Sequence, residues 1–385
     1  MSNQPLAEPA AASDLFELYV PRTGFVLVQG NRGIATRGAP SGVIPVSPGP
    51  DQVQRAAALA RQALAAGDGS IVSGALPFDG APVTFLHVAR SAVHGSVSLD
   101  GDVPEGYRVV NTAHEPDEAA YRDAVAEALR TIESNAVEKV VLARTLVVET
   151  DQVLDPRVIA RRLYHVDPDR YVFLVALPGA AHALAGASPE LLLRRRGARV
   201  ASDPLAGSAP RSPDPAEDRE RAHRLLQTVK ERHEHRIVAE AVADTLSSYC
   251  EQLEVDPQPS LLSTATLWHL HTAIRGRLRP DAPDALTLAA ALHPTPAVCG
   301  MPPEAALSVI RELEPFDRRF YAGIAGWVDN HGDGDWVIAL RCAEVMGRTA
   351  RLYAGAGIVA GSDPAAEDRE ADVKFGAMLH ALGQD

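Results

Sequence analysis

Ala354 to Lys374 reads AGAGIVAGSDPAAEDREADVK, a small-residue strand that turns through glycine into a helix. Ser362 or Asp363 stands where an N-cap belongs, and Pro364 takes the first turn, where its missing amide costs nothing. On that helix Glu367, Glu370 and Lys374 fall at i, i+3 and i+7 and share one face. Two carboxylates and one ammonium there suit a divalent cation beside a carboxylate substrate, because Mg²⁺ takes one or two protein carboxylates and leaves positions open. The same spacing equally describes an exposed, salt-bridged helix face.

Upstream, WVIALRCAEV from Trp336 and TARLYAGAGIV from Thr349 read as two strands, and the C-terminal helix runs from about Pro364 to Leu382. Further back, KVVLARTLVVET from Lys139 reads as a strand, followed by a helix over Arg157–His165. The apolar runs YVFLVALP, AHALAG and PELLLRRR are strand-like. Helices are expected from Asp51, over Asp117–Asn135, over Pro215–Cys250 and over Pro302–Leu313. Strand clusters with long helices between them, without a regular βαβ rhythm, predict an α+β fold of large antiparallel sheets with helices packed outside. Residues 1–14, rich in Ala, Pro and Ser, read as a disordered tail. The rest, 15–385, reads as one catalytic domain with a β-rich part over 15–115 and a motif-bearing part over 116–385.

Of 385 residues, 46% are hydrophobic and 23% charged, and 37 basic against 50 acidic residues give a net charge of −13. An acidic chain lacks the basic face of a nucleic-acid binder. No apolar run is long enough to span a membrane, and the N-terminus lacks the pattern of a signal peptide, so a cytoplasmic enzyme is expected. Cys250, Cys299 and Cys342 form no CxxC pair, which excludes a disulfide framework and a zinc ribbon. Only three basic residues are lysine: Lys139, Lys230 and Lys374. Where arginine has replaced most interchangeable lysines, a surviving lysine either marks a place that needs a compact or deprotonatable amine or is simply left over from the bias.

Several side chains are candidates for chemistry. Lys139 opens an apolar strand, where its ammonium is poorly solvated, the condition a lysine general base needs; an edge-guarding charge would look the same. Glu190 enters the run LLL, where a carboxyl is pushed towards its acid form and can donate a proton; a turn residue facing water is the plain alternative. Glu234, in KERHEH (Lys230–His235), borders the stripe Leu226, Val229, Ile237 and Val238 and needs a partner there. The histidines of that run miss the HExxH spacing. Gly355-Ala356-Gly357 is not a dinucleotide fingerprint, HGDGD from His331 reads as a hairpin turn, and Ser188, two residues after Gly186, lacks the second glycine of a nucleophile elbow.

Together these blocks resemble the chorismate-utilising enzymes, which include isochorismate, salicylate, anthranilate and aminodeoxychorismate synthases. The likeness runs in order through KVVLAR (Lys139), GASPELLLRR (Gly186), PLAGSAPR (Pro204), KERHEH (Lys230) and TLWHLHT (Thr266). It continues through LHPTPAVCG (Leu292), EPFDRRFYAGIAGW (Glu314), WVIALRCAEV (Trp336), YAGAGIV (Tyr353) and EDREADVK (Glu367). LHPTPAVCG and LWHLHTAIRG are most similar to the isochorismate synthases of catechol-siderophore pathways. Aminodeoxychorismate synthases carry a nucleophilic lysine in the block that here reads Pro204-Leu205-Ala206-Gly207-Ser208, so that route is closed. Ala297 stands where salicylate synthases carry a threonine, which favours release of isochorismate over pyruvate elimination. Val298 departs from the leucine expected beside it.

The resemblance implies roles. Lys139 would be the base that activates water for attack at ring C2, and Glu190 the acid that protonates the departing C4 hydroxyl. Glu234 and Glu370 would bind Mg²⁺, with Glu231 and Glu367 reaching it through water. Gly207, Ser208, Ala297, Arg341, Gly355 and Lys374 would hold the substrate. The activity implied is Mg²⁺-dependent isochorismate synthase, an isomerase for siderophore biosynthesis. The alternatives are a salicylate synthase and an ammonia-using aminodeoxyisochorismate or anthranilate-type synthase. The partners expected are chorismate and isochorismate, with no obligatory glutamine amidotransferase, no nucleic acid and no membrane, in a monomer.

Overall fold

A computed structural model describes residues 14–384 except 50, 81–84, 98, 100, 101, 180 and 181. The first thirteen residues of the expected tail lie outside the described residues. Asp14, placed in that tail by the sequence, caps the short 3-10 helix Leu15–Leu18 by accepting from the Phe16 amide.

Two large antiparallel sheets form the body. One orders Gly300–Met301, Lys139–Thr150, Thr349–Val359, Cys342–Met346, His182–Ser188, Tyr171–Ala176, Phe25–Gln29, Arg32–Arg37 and Ser91–Ser96, with Val109–Glu115 also paired to Lys139–Thr150. The second orders Cys250–Val255, Ile274–Leu278, Arg199–Asp203, Leu191–Arg196, Gly334–Ile338, Ile324–Asp329, Ile71–Leu76, Phe85–Ala89 and Gly42–Val43. A small third sheet joins Leu205–Pro210, Leu267–His271 and Ser260–Ser263. Strands such as Tyr171–Ala176 and Ile71–Leu76 are buried at every residue, as strands covered on both faces must be. Helices Pro156–Val166 and Pro364–Leu382 cover the first sheet, and Gln52–Ala66 and Ala285–Leu292 the second. This is the α+β arrangement that the sequence predicts.

Among the places where the chain passes from one large sheet to the other, two build the site. Pro189-Glu190 links His182–Ser188 to Leu191–Arg196, and Ala339–Arg341 links Gly334–Ile338 back to Cys342–Met346. The crossings lie side by side, because Gly186 pairs with Cys342 and Leu191 with Val337. The Ala187 amide donates to the Arg341 carbonyl at 3.1 Å, and the Ile338 amide to the Glu190 carbonyl at 3.3 Å. WVIALRCAEV is therefore two strands rather than one, broken at Arg341, whose φ is +49°.

Two further sequence expectations change. Pro215–Cys250 is not one helix but two, Pro215–Gln227 and Val229–Ser247, because Thr228 is extended and its hydroxyl donates to the Arg224 carbonyl. The break turns Val229 out to solvent, 82% exposed, so the buried stripe keeps Ile237 and Val238 but loses Val229. HGDGD is the expected turn, joining Ile324–Asp329 to Gly334–Ile338. The C-terminal helix Pro364–Leu382 starts as its sequence dictates, with the Asp363 side chain accepting from the Ala366 amide and Gly383 ending it in the left-handed conformation.

Candidate active site

The two crossings, the third sheet and two helices enclose a narrow cleft of about 60 Å³. Glu190, Gly207, Ser208, Glu234, Ala297, Arg341, Gly355, Glu370 and Lys374 line it. Lys139, Glu231 and Glu367 lie just behind that lining. All twelve predicted site residues thus fall at one place in the fold. Wider surface clefts exist, one of about 880 Å³ beside the helix Gln52–Ala66, but its only charged lining residues are Asp68 and Arg90.

Glu190 is 3% exposed, and burial pushes its carboxyl up to about 8, against the nearby charges of Lys139 and Arg341. A carboxyl held in its acid form at neutral pH is a proton donor. Arg341, at the neighbouring crossing, points its guanidinium at His269, with Nη2 3.3 Å from Nε2. Burial, reinforced by Arg341 and Lys374, holds His269 well below the usual imidazole range and therefore neutral.

The carboxylates come from two helices. Glu231 and Glu234 are one turn apart on Val229–Ser247, and Glu367 and Glu370 one turn apart on Pro364–Leu382. Burial and the neighbouring Glu234 charge push Glu231 up to about 7, and burial with Glu370 raises Glu367. Burial works the same way on Glu370, but Lys374 outweighs it and holds that carboxyl below its ordinary value.

All three lysines of the chain converge here. Lys139 is completely buried, with Nζ 2.9 Å from Glu234 Oε1. Lys230 Nζ donates to Glu367 Oε1 at 2.8 Å and lies 3.3 Å from Glu231 Oε1. Lys374 Nζ donates to Glu370 Oε1 at 2.5 Å and to the Gly355 carbonyl at 2.8 Å.

Two glycines make the packing possible. Gly357, across the ladder from Val141, lies where a Cβ would overlap Glu234 Oε1 and press on Lys139 Cε. Gly207 has φ +73°, and a Cβ there would meet Glu231 Oε2 at 3.0 Å; the next amide, Ser208, donates to that oxygen at 3.2 Å.

The donor set fits a divalent cation of the Mg²⁺ kind. The four carboxylates outnumber the three lysines among them by one, and burial first, with the neighbouring carboxylate second, raises Glu231 and Glu367. Among the described residues no three His, Cys, Asp or Glu side chains close around one point. Mg²⁺ does not require that, since it keeps waters and substrate oxygens in its remaining positions.

Sequence reasoning passed over two residues of the cleft. His269 is buried in Leu267–His271, inside a block quoted for its likeness. Tyr321, inside the quoted block EPFDRRFYAGIAGW, lines the cleft wall and stacks on Tyr353 with ring centroids 5.3 Å apart.

Among known proteins, the sequence profile described as "Chorismate binding enzyme" matches residues 92–383. Isochorismate synthase DhbC of Bacillus subtilis is 39% identical, covering 100% of both chains. Isochorismate synthase EntC of Escherichia coli is 42% identical over 86% of each. The solved structure of MenF, the menaquinone-specific isochorismate synthase of Escherichia coli, superposes with a TM-score of 0.80 at 26% identity, covering 97% of this chain and 92% of that one. Among the described residues no helix is long and apolar enough to cross a membrane.

Proposed function

The chain belongs to the family of chorismate-binding enzymes, and from that premise we propose that it is a Mg²⁺-dependent isochorismate synthase. The observation that carries this reading is the gathering of a buried carboxyl, Glu190, and a buried lysine, Lys139, at a cleft that also presents Arg341 and Lys374. Isomerisation adds water at one ring carbon and expels hydroxide from another, so it needs one base and one acid at a single ring.

Lys139 takes a proton from the attacking water as the new C–O bond forms at C2. Both ring double bonds shift, C1=C2 to C1=C6 and C5=C6 to C4=C5, the C4–O bond breaks, and Glu190 gives its proton to the leaving hydroxyl. Water is consumed and released in equal amounts, so the product is an isomer. Lys139 is held by Glu234, 2.9 Å from its Nζ, and Glu234 is also one of the two carboxylates that would hold the cation. Glu234 and Glu370 would hold Mg²⁺, with Glu231 and Glu367 behind them through water. The ion would supply positive charge for the ring carboxylate. Arg341 and Lys374 offset the charge of the dianionic substrate, while Gly207, Ser208 and Gly355 supply backbone close to it. Ala297 puts a methyl rather than a hydroxyl at its own place in the wall, which supports release of isochorismate. The likeness of LHPTPAVCG to the catechol-siderophore branch supports siderophore biosynthesis as the use of the product.

The test is an incubation of chorismate with Mg²⁺, products separated by chromatography and weighed by mass spectrometry. An isomer of chorismate is expected, absent with EDTA and lost in Lys139→Ala and Glu190→Gln. Salicylate with equimolar pyruvate would instead place the chain among the lyases, and a product formed only with ammonia among the aminating enzymes.

A further inference from the structure

Of the charged groups around the proposed cation site, Lys230 alone has no task in the reaction as written. Lys139 pairs with Glu234 and Lys374 with Glu370, the two carboxylates that line the cleft. Lys230 sits on the other two. Its ammonium bridges Glu367 of one helix, at 2.8 Å, and Glu231 of the other, at 3.3 Å, while its side chain stays 26% exposed. Neither it nor its two carboxylates lines the cleft.

A lysine in that place has an electrostatic consequence for any ion beside it. Without Lys230, four glutamates would face two ammoniums, and Glu231 and Glu367 would each lose the ammonium at Oε1, with Glu231 keeping the Ser208 amide on Oε2. A site with four available carboxylates favours a large ion that accepts six to eight oxygens. A site with two favours a small octahedral ion that keeps its waters.

We propose that Lys230 is a specificity-determining residue of the cation site. It is a resident counter-charge that keeps Glu231 and Glu367 off the ion, leaves Glu234 and Glu370 to meet it, and tilts the choice towards Mg²⁺ over Ca²⁺. The proposal rests on the reading that these glutamates hold a divalent cation.

The experiment is calorimetric titration of the full chain, without chorismate, with MgCl₂ and with CaCl₂, for wild type, Lys230→Met and Lys230→Arg. Lys230→Met removes one positive charge next to the ion. It should bind Mg²⁺ about ten-fold tighter and gain more for Ca²⁺, shifting the Ca²⁺/Mg²⁺ preference by about ten-fold. Lys230→Arg, which keeps the charge, should stay within about three-fold of wild type. Weaker binding of both ions by Lys230→Met would mean that the lysine organises the glutamates rather than restraining them, and would overturn the proposal. So would an unchanged preference. If Lys230→Met melts early, Lys230→Gln, which can still bond Glu367, repeats the comparison. A wild-type chain that takes up no Mg²⁺ would sink the cation reading itself, and the lysine's role with it. A wild type that binds beside an unaltered Lys230→Met would sink the lysine's role alone.

Discussion

Glu190 is asked to be an acid at neutral pH, and that has two consequences of opposite kind. For catalysis, the rate should fall as pH rises through about 8, where the buried carboxyl loses its proton. Glu190→Gln cannot donate a proton and should lower kcat by about 10²–10⁴-fold at every pH, read from initial rates between pH 6 and 9. For stability the same carboxyl is a liability. Its value is raised from 4.5 to about 8 on folding. Between those values the folded chain holds a proton that the unfolded chain has lost, so stability falls as pH climbs through that window and is lowest above it. Glu190→Gln should therefore raise Tm relative to wild type, little at pH 5 and most at pH 8.5, in thermal melts followed by circular dichroism. A Tm difference that stays level across that range would mean Glu190 titrates normally. The sequence alone showed the acidic residue among leucines; it did not show the sheet crossing that buries it, because the partner crossing at Arg341 lies far along the chain.

The helix Pro364–Leu382 carries three site residues, and its other face is fixed by a group that the motif reading left idle. Arg144, in the strand Lys139–Thr150, is completely buried and pairs with Asp368 at 3.2 Å and with Asp372, while Tyr121 and Phe375 flank its guanidinium at 5.6 and 5.8 Å. Arg144→Met would leave the buried Asp368 with the partly exposed Arg122 alone, 3.6 Å away, at a cost of about 3 kcal/mol, measurable by urea unfolding. Asp372→Asn should cost far less, since Asp372 is 47% exposed. In the strand Thr349–Val359, Gly357→Ala should fold, because the obstructing atom is the end of a glutamate side chain. It should also raise the Mg²⁺ concentration for half-maximal rate by displacing Glu234, seen in a metal titration of activity. The caps and the i, i+3 face of the C-terminal helix were legible, since they are local chemistry. The break at Thr228 was not, because apolar spacing continues across it while only the backbone of one residue changes.

Across the whole molecule, the two-sheet body was readable as strands and helices, but the order of those strands was not. Neighbours such as Gly186 and Cys342 pair at long range, and local spacing carries no such information. Composition carried more than expected: a chain with three lysines in 385 residues places all three at one cluster of four glutamates. Every ε-amine of the protein is therefore at the site, which makes amine chemistry a selective probe of it. Acetylation with a succinimidyl ester should label Lys230 first, because its side chain is 26% exposed, then Lys374 at 12%, and Lys139 last or not at all at 0%. Peptide mass spectrometry gives that order directly. Inactivation should track Lys374, which loses the positive charge proposed to meet a substrate carboxylate, and chorismate with Mg²⁺ should slow it. Label appearing on Lys139 as early as on Lys230 would show that the Lys139–Glu234 pair opens to solvent. Full activity after Lys374 is acetylated would remove that residue from substrate binding.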